Sequence, residues 1–118
     1  MTDETARPKV PLSYTELAEM EPKASVLLMF TNLEGLLKRS FKREYPDEKR
    51  PGTMAALTET LLEKGVIDAG LKAKLDKLRA RRNDVVHEDP QVSRQEADDY
   101  FNSLGDALVE LTRTSLYQ

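Results

Sequence analysis

Cysteine is absent from this chain, and histidine occurs once. Without cysteine there is no disulfide framework of the kind that staples small secreted modules, and one histidine alone excludes the common zinc ligand sets. A long hydrophobic run is also missing: the longest, Val26 to Phe30, is far too short to span a bilayer. Met1 to Lys9 is charged and lacks the apolar stretch of a signal peptide. The expectation is a cytoplasmic protein with no membrane partner, no metal and no cofactor. Excess positive charge is lacking too, since the formal net charge is -3. That argues against a generic nucleic-acid coat, whose binding comes mainly from surplus Lys and Arg. Finally, there is no alternating strand pattern, no internal repeat and no low-complexity tract.

What is present reads as one all-α domain. A chain of 118 residues, 39% of them hydrophobic, suffices for one core and falls short of the usual size for two. Residues 1–12 carry Pro8, Pro11 and several charges, and are expected to form a mobile arm. Residues 13–118 are expected to form a compact bundle of about four main helices plus a short N-terminal one.

The helices follow from period and punctuation. Ser13 and Glu16 have capping-box spacing, which predicts a short helix to Met20 with Leu17 and Met20 touching the bundle. Pro22 suits the first turn of a second helix, whose apolar stripe runs Val26, Phe30, Leu33, Leu37, Phe41. Leu27, Leu28, Met29 and Leu36 widen the stripe, so this helix is expected to be central or to lie at a subunit interface. Gly35 within it suggests a close helix crossing. A third helix is expected from about Thr53 to Gly65, with Met54, Leu57, Leu61 and Leu62 on one face. Asp68 is the N-cap of a fourth, buried through Leu71, Leu75, Leu78 and one of Val85 and Val86. Pro90 stops it at about Glu88, and Ser93 with Glu96 caps a fifth, striped by Ala97, Tyr100, Phe101, Leu104, Ala107, Leu108 and Leu111 and able to run nearly to the C-terminus. The short loop implies that the last two helices form an antiparallel hairpin, with Tyr100 and Phe101 in the core.

Local charge departs from the global balance. Lys72 to Arg82 contains six basic residues against the single acid Asp76, and Lys38, Arg39, Lys42 and Arg43 form a second cluster. Either cluster can be a phosphate-attracting field or simply a solvated helix face. Arg82 lies on the apolar stripe between Leu78 and Val86, where an unpaired charge is costly to desolvate.

Arg82-Asn83-Asp84-Val85-Val86-His87 closes the penultimate helix, between a basic segment and a long amphipathic last helix. In this the chain resembles the HEPN superfamily, the higher eukaryotes and prokaryotes nucleotide-binding domains. Their signature is an arginine, four to six residues, then a histidine, often with a polar residue after the arginine. Arg82 fits with Asn83 as its polar neighbour, and Arg81 fits the spacing as well. The layout agrees over about Ser13 to Tyr117, while only the six-residue motif is specific. The resemblance implies an all-α fold and a metal-independent endoribonuclease acting as a homodimer. A toxin or defence role, with an antitoxin protein as a further partner, goes with it. The alternative it implies is a catalytically silent relative that binds RNA, nucleotides or a protein.

The residue types suit that chemistry. RNA can be cut without metal when its 2'-hydroxyl attacks the adjacent phosphate, which needs a proton acceptor near neutrality and a cation on the developing oxyanion. Histidine, with a reference pKa of about 6.5, takes the first role as His87. The planar fork of Arg82 takes the second. Asn83 would orient the phosphate or His87, and Arg79 and Arg81 are further phosphate-binding candidates. In an ideal helix Arg82 and His87 stand about 140° apart around the axis and about 7.5 Å along it. One unbroken helix therefore aims them differently, and two copies meeting about a two-fold axis could complete a shared cleft.

Two features oppose catalysis. His87 near a helix end and Arg82 near Asp98 or Asp99 could be purely structural partners. One toxin branch of the family has a modified tyrosine two residues after the histidine; Asp89 stands here, and Glu88-Asp89 would repel RNA.

Overall fold

The computed structural model describes residues 14–87 and 91–117. The arm over residues 1–12, the Ser13 cap, the acidic Glu88-Asp89 pair and the Pro90 stop lie outside the described residues. The fold is an all-α bundle: α1 (Tyr14–Met20), α2 (Pro22–Glu44), α3 (Met54–Glu63), α4 (Ala69–His87) and α5 (Arg94–Thr112), with a 3-10 turn over Ser115–Tyr117.

Local chemistry accounts for most helix ends. The Thr53 hydroxyl accepts from the Ala56 amide and so caps α3. The helix stops at Gly65, which takes φ +75, a left-handed conformation that costs glycine little. The Val66 amide then turns back onto the Leu61 carbonyl at 3.0 Å. Asp68 caps α4 by accepting from the Leu71 amide at 2.8 Å. Ser93 and Glu96 form a reciprocal capping box at the start of α5.

α2 is the spine, packing against α1, α4, α5 and the terminal 3-10 turn, while α3 leans on α4. Its predicted stripe is all buried: Val26, Phe30, Leu33, Leu37 and Phe41, joined by Met29. Each fully buried Leu or Phe side chain stabilises the fold by roughly 1.5–3 kcal/mol before ordering costs. The antiparallel α4–α5 hairpin is laced by three contacts in reversed order. Arg81 meets Glu96, the Tyr100 hydroxyl donates to the Leu78 carbonyl, and Lys74 meets Glu110.

Four details differ from expectation. Met20 is 68% exposed, and among the described side chains of α1 it is Ala18 that is buried, because the contact face of this short helix is one residue off the predicted position. A Cβ at Gly35 would meet only the Arg39 guanidinium of its own helix, at 3.1 Å, so no neighbouring helix crosses closely there. Phe101 is 44% exposed while Tyr100 is buried, since adjacent residues on a helix diverge by about 100°. α5 ends at Thr112 rather than near the terminus, and the chain folds back so that Leu116 enters the core. The second basic cluster helps to hold this return: Arg43 donates to the Leu116 carbonyl at 2.7 Å, and the Ser40 hydroxyl donates to that of Tyr117.

Candidate functional site

α4 carries its cations on two faces, separated by helical periodicity. Residues 74, 77, 78 and 81 follow one i, i+3, i+4, i+7 series, and residues 79, 82 and 83 another. The first series, Lys74, Lys77 and Arg81 about Leu78, lines a groove of about 430 Å³ against α5. There the cations meet acids. Arg81 is 2.6 Å from Glu96, Lys74 pairs with Glu110, and Asp99 and Asp106 stand on the same wall. Hydrogen bonding to Glu110 raises the Lys74 pKa, against a smaller desolvation effect.

The second series faces the other way, into a groove of about 380 Å³ closed by Glu34 of α2 and by Gly52 to Ala55 at the start of α3. Arg79, Arg82 and Asn83 form its α4 wall. Arg82 is seated by an aromatic ring rather than by an acid: its guanidinium carbon lies 4.6 Å from the centroid of the fully buried Phe30 ring. The expected carboxylates are engaged elsewhere, Asp98 with Arg94 at 3.5 Å and Asp99 with the Gln95 amide at 2.9 Å. Among the described residues no acid pairs with Arg82, and its Nε and that of Arg79 are buried without a hydrogen-bond partner. Arg79 reaches Asp76 only at 3.9 Å, and Asp76 is held more closely by Lys72, at 2.6 Å.

Tyr100 lies behind this wall. Burial pushes its phenol well above the ordinary tyrosine range, while the positive charge of Arg82 pulls weakly the other way. Its hydroxyl donates to the Leu78 carbonyl, one turn before Arg82, and so fixes the part of α4 from which Arg82 projects.

His87 is the last residue of α4, exposed, and lines neither groove. It makes no hydrogen bond to another described residue. The structure thus brings Arg79, Arg82 and Asn83 together, sends Arg81 to α5, and leaves His87 at the helix end. Three contributors escape sequence reading: Phe30 beneath Arg82, Glu34, and the backbone that opens α3. The Thr53 cap marks that a helix starts there, but nothing local shows that it starts beside α4.

Among the described residues no three His, Cys, Asp or Glu side chains cluster to hold a metal ion, and no helix is long and apolar enough to cross a membrane. Comparison with family models, curated proteins and solved structures gives no match.

Proposed function

We propose that this chain is a HEPN-type endoribonuclease that cuts RNA without a metal ion, in a site shared by two copies. The observation that carries this reading is the state of Arg82. Arg82 lines a concave groove beside Asn83, is seated on Phe30, and pairs with no acid among the described residues. A planar cation in that state is suited to a phosphate oxyanion. His87, exposed at the helix end, serves as the base: it takes the proton of the 2'-hydroxyl as the oxygen attacks phosphorus. The bond to the 5'-oxygen breaks, that oxygen leaving as a 5'-hydroxyl with a proton taken from water and a 2',3'-cyclic phosphate remaining, while Arg82 stabilises the charge that builds on the non-bridging oxygens. Because His87 lies outside the Arg82 groove, the homodimer supplies the missing juxtaposition, His87 of one copy acting beside Arg82 of the other. Such an activity suits a toxin or defence role in the cytoplasm, restrained by a partner protein.

The same separation of His87 from the groove favours a second reading, a silent module that grips RNA phosphate without cutting it. RNA cleavage in EDTA separates the two. The wild type should generate cyclic-phosphate ends, with His87→Ala and Arg82→Ala each slower by at least about 10²-fold. Absence of cleavage of any total RNA by a verified dimer would leave the binding module standing.

A further inference from the structure

We propose that Glu34 and Arg79 make the groove between α2, α3 and α4 selective for a guanine base, so that RNA is cut on the 3' side of guanosine. This rests on the ribonuclease reading for the reaction, and adds the residue that chooses the nucleotide. Base selection is also readable from binding alone, so it and the cleavage can fail separately.

An acid and two arginines line this groove without meeting. Glu34 is the one acid on the lining, yet neither Arg79 nor Arg82 pairs with it. It is held from its own helix instead: Lys38 meets its Oε2 at 3.0 Å and also reaches the Gly52 carbonyl at 3.5 Å, which fixes the carboxylate beside the start of α3. A carboxylate has about four acceptor positions, so one ammonium leaves most of them, and Oε1 has no donor among the described residues. Arg79 is underused in the same way. Its Nε is enclosed, so only its terminal nitrogens can reach a ligand, and the nearest acid to them is Asp76 at 3.9 Å. The Glu34 and Arg79 side chains are 24% and 31% exposed, enclosed enough for a hydrogen bond to discriminate and open enough to be reached. The α4–α5 groove differs on this point, since Lys74 and Arg81 have closed onto Glu110 and Glu96 across it.

A ligand that spans this gap must offer donors to the carboxylate and acceptors to the guanidinium. Guanine does so, with N1–H and the N2 amino group on one edge and O6 and N7 on the next, the pair of acceptors that arginine reads with two nitrogens. Adenine reverses both contacts: its N1 is an acceptor facing Glu34, and its N6 amino group is a donor facing Arg79. The pyrimidines have a smaller ring and no N7, so they cannot engage Arg79 with two acceptors while meeting Glu34. The groove volume of about 380 Å³ is that of a small-ligand site and suits a purine nucleoside. Arg82, three residues on and about 4.5 Å further along α4, stays with the phosphate that follows the base.

The test is a titration of the ¹⁵N-labelled full chain followed by NMR, with the 3'-monophosphates of guanosine, adenosine, cytidine and uridine. The guanosine compound should bind at least about tenfold tighter than each of the others, as a good bidentate base contact provides. Glu34→Gln keeps the size of the side chain but exchanges one acceptor for a donor, and should cut that preference to within about threefold. Arg79→Lys, which keeps the charge but not the fork, should reduce it as well. A ratio between bases is a readout that a merely structural role of Glu34 would not move. Wild-type cleavage mapped on total RNA should leave the cyclic phosphate on guanosine, and Glu34→Gln should cut without that bias. Absence of cleavage removes the ribonuclease reading and leaves the base preference to be decided by the titration. Guanine selection is overturned if none of the four binds saturably, if another monophosphate matches that of guanosine, if Glu34→Gln keeps the preference, or if cleavage ignores the base.

Discussion

The two grooves flanking α4 are built from the same run of basic sequence and end in opposite electrostatic states. On the α5 side, Lys74 and Arg81 are pinned by Glu110 and Glu96. On the α2–α3 side, Arg82 rests on an aromatic ring and Arg79 touches only an acid already claimed by Lys72. A basic cluster in a sequence is therefore two populations. Cations that face an acidic helix knit the bundle together, and those that face a ring and a helix start make no close ion pair with another helix among the described residues.

The largest effect that would sharpen this contrast comes from the seat itself. Phe30→Ala removes a fully buried ring from the central helix and should lower the unfolding free energy by about 3–5 kcal/mol, read from urea denaturation. Phe30→Leu keeps most of the packing but not the π face. It should stay folded while the Arg82 Nε–H signal moves toward that of a solvated arginine. If that signal stays in place, the ring does not seat the guanidinium and the contrast between the two faces breaks.

Much of this was legible in advance, and the boundary is physical. Caps and stops are local chemistry, so Thr53, Gly65, Asp68 and the Ser93–Glu96 box announce helix ends that the structure shows. Buried stripes follow from period, which is why Val26 to Phe41 of α2 and Leu71, Leu75 and Leu78 of α4 could be assigned to the core. Whether a cation finds an acid depends on what another helix places opposite, and period does not encode that. Arg79 and Arg81 stand two apart in sequence as equal phosphate candidates, yet about 200° apart around the axis. Only Glu96 arriving from α5 separates their roles. The opening of α3 beside α4 is likewise a tertiary fact, invisible in Gly52 and Thr53.

A smaller effect probes the α5 side. Tyr100→Phe deletes one buried hydrogen bond to the Leu78 carbonyl and should cost about 0.5–1.5 kcal/mol at neutral pH. The pH dependence carries a sign. Because burial raises the phenol above its unfolded value of about 10, the folded state resists ionisation that the unfolded state accepts. Stability from this group is complete below about pH 10 and is lost as pH climbs from there toward the raised folded value. The wild type should therefore lose stability more steeply above about pH 10 than Tyr100→Phe, in urea midpoints measured across that range. Parallel losses would mean that the hydroxyl is not buried, and that α4 is free to shift on this side.

The smallest effects decide the comparison most directly, because one variant removes an ion pair and the other does not. Arg81→Met deletes a partly exposed ion pair with Glu96 and should destabilise by less than about 1 kcal/mol, less still at high salt. Arg82→Met deletes no ion pair among the described residues. It replaces a guanidinium whose Nε is buried and unpartnered with a flexible apolar chain that can lie on Phe30. Its stability should stay within about 0.5 kcal/mol of the wild type or rise, with no dependence on salt. Should Arg82→Met instead prove the more destabilising of the two, Arg82 is a structural residue, and the groove it lines loses its claim to a phosphate.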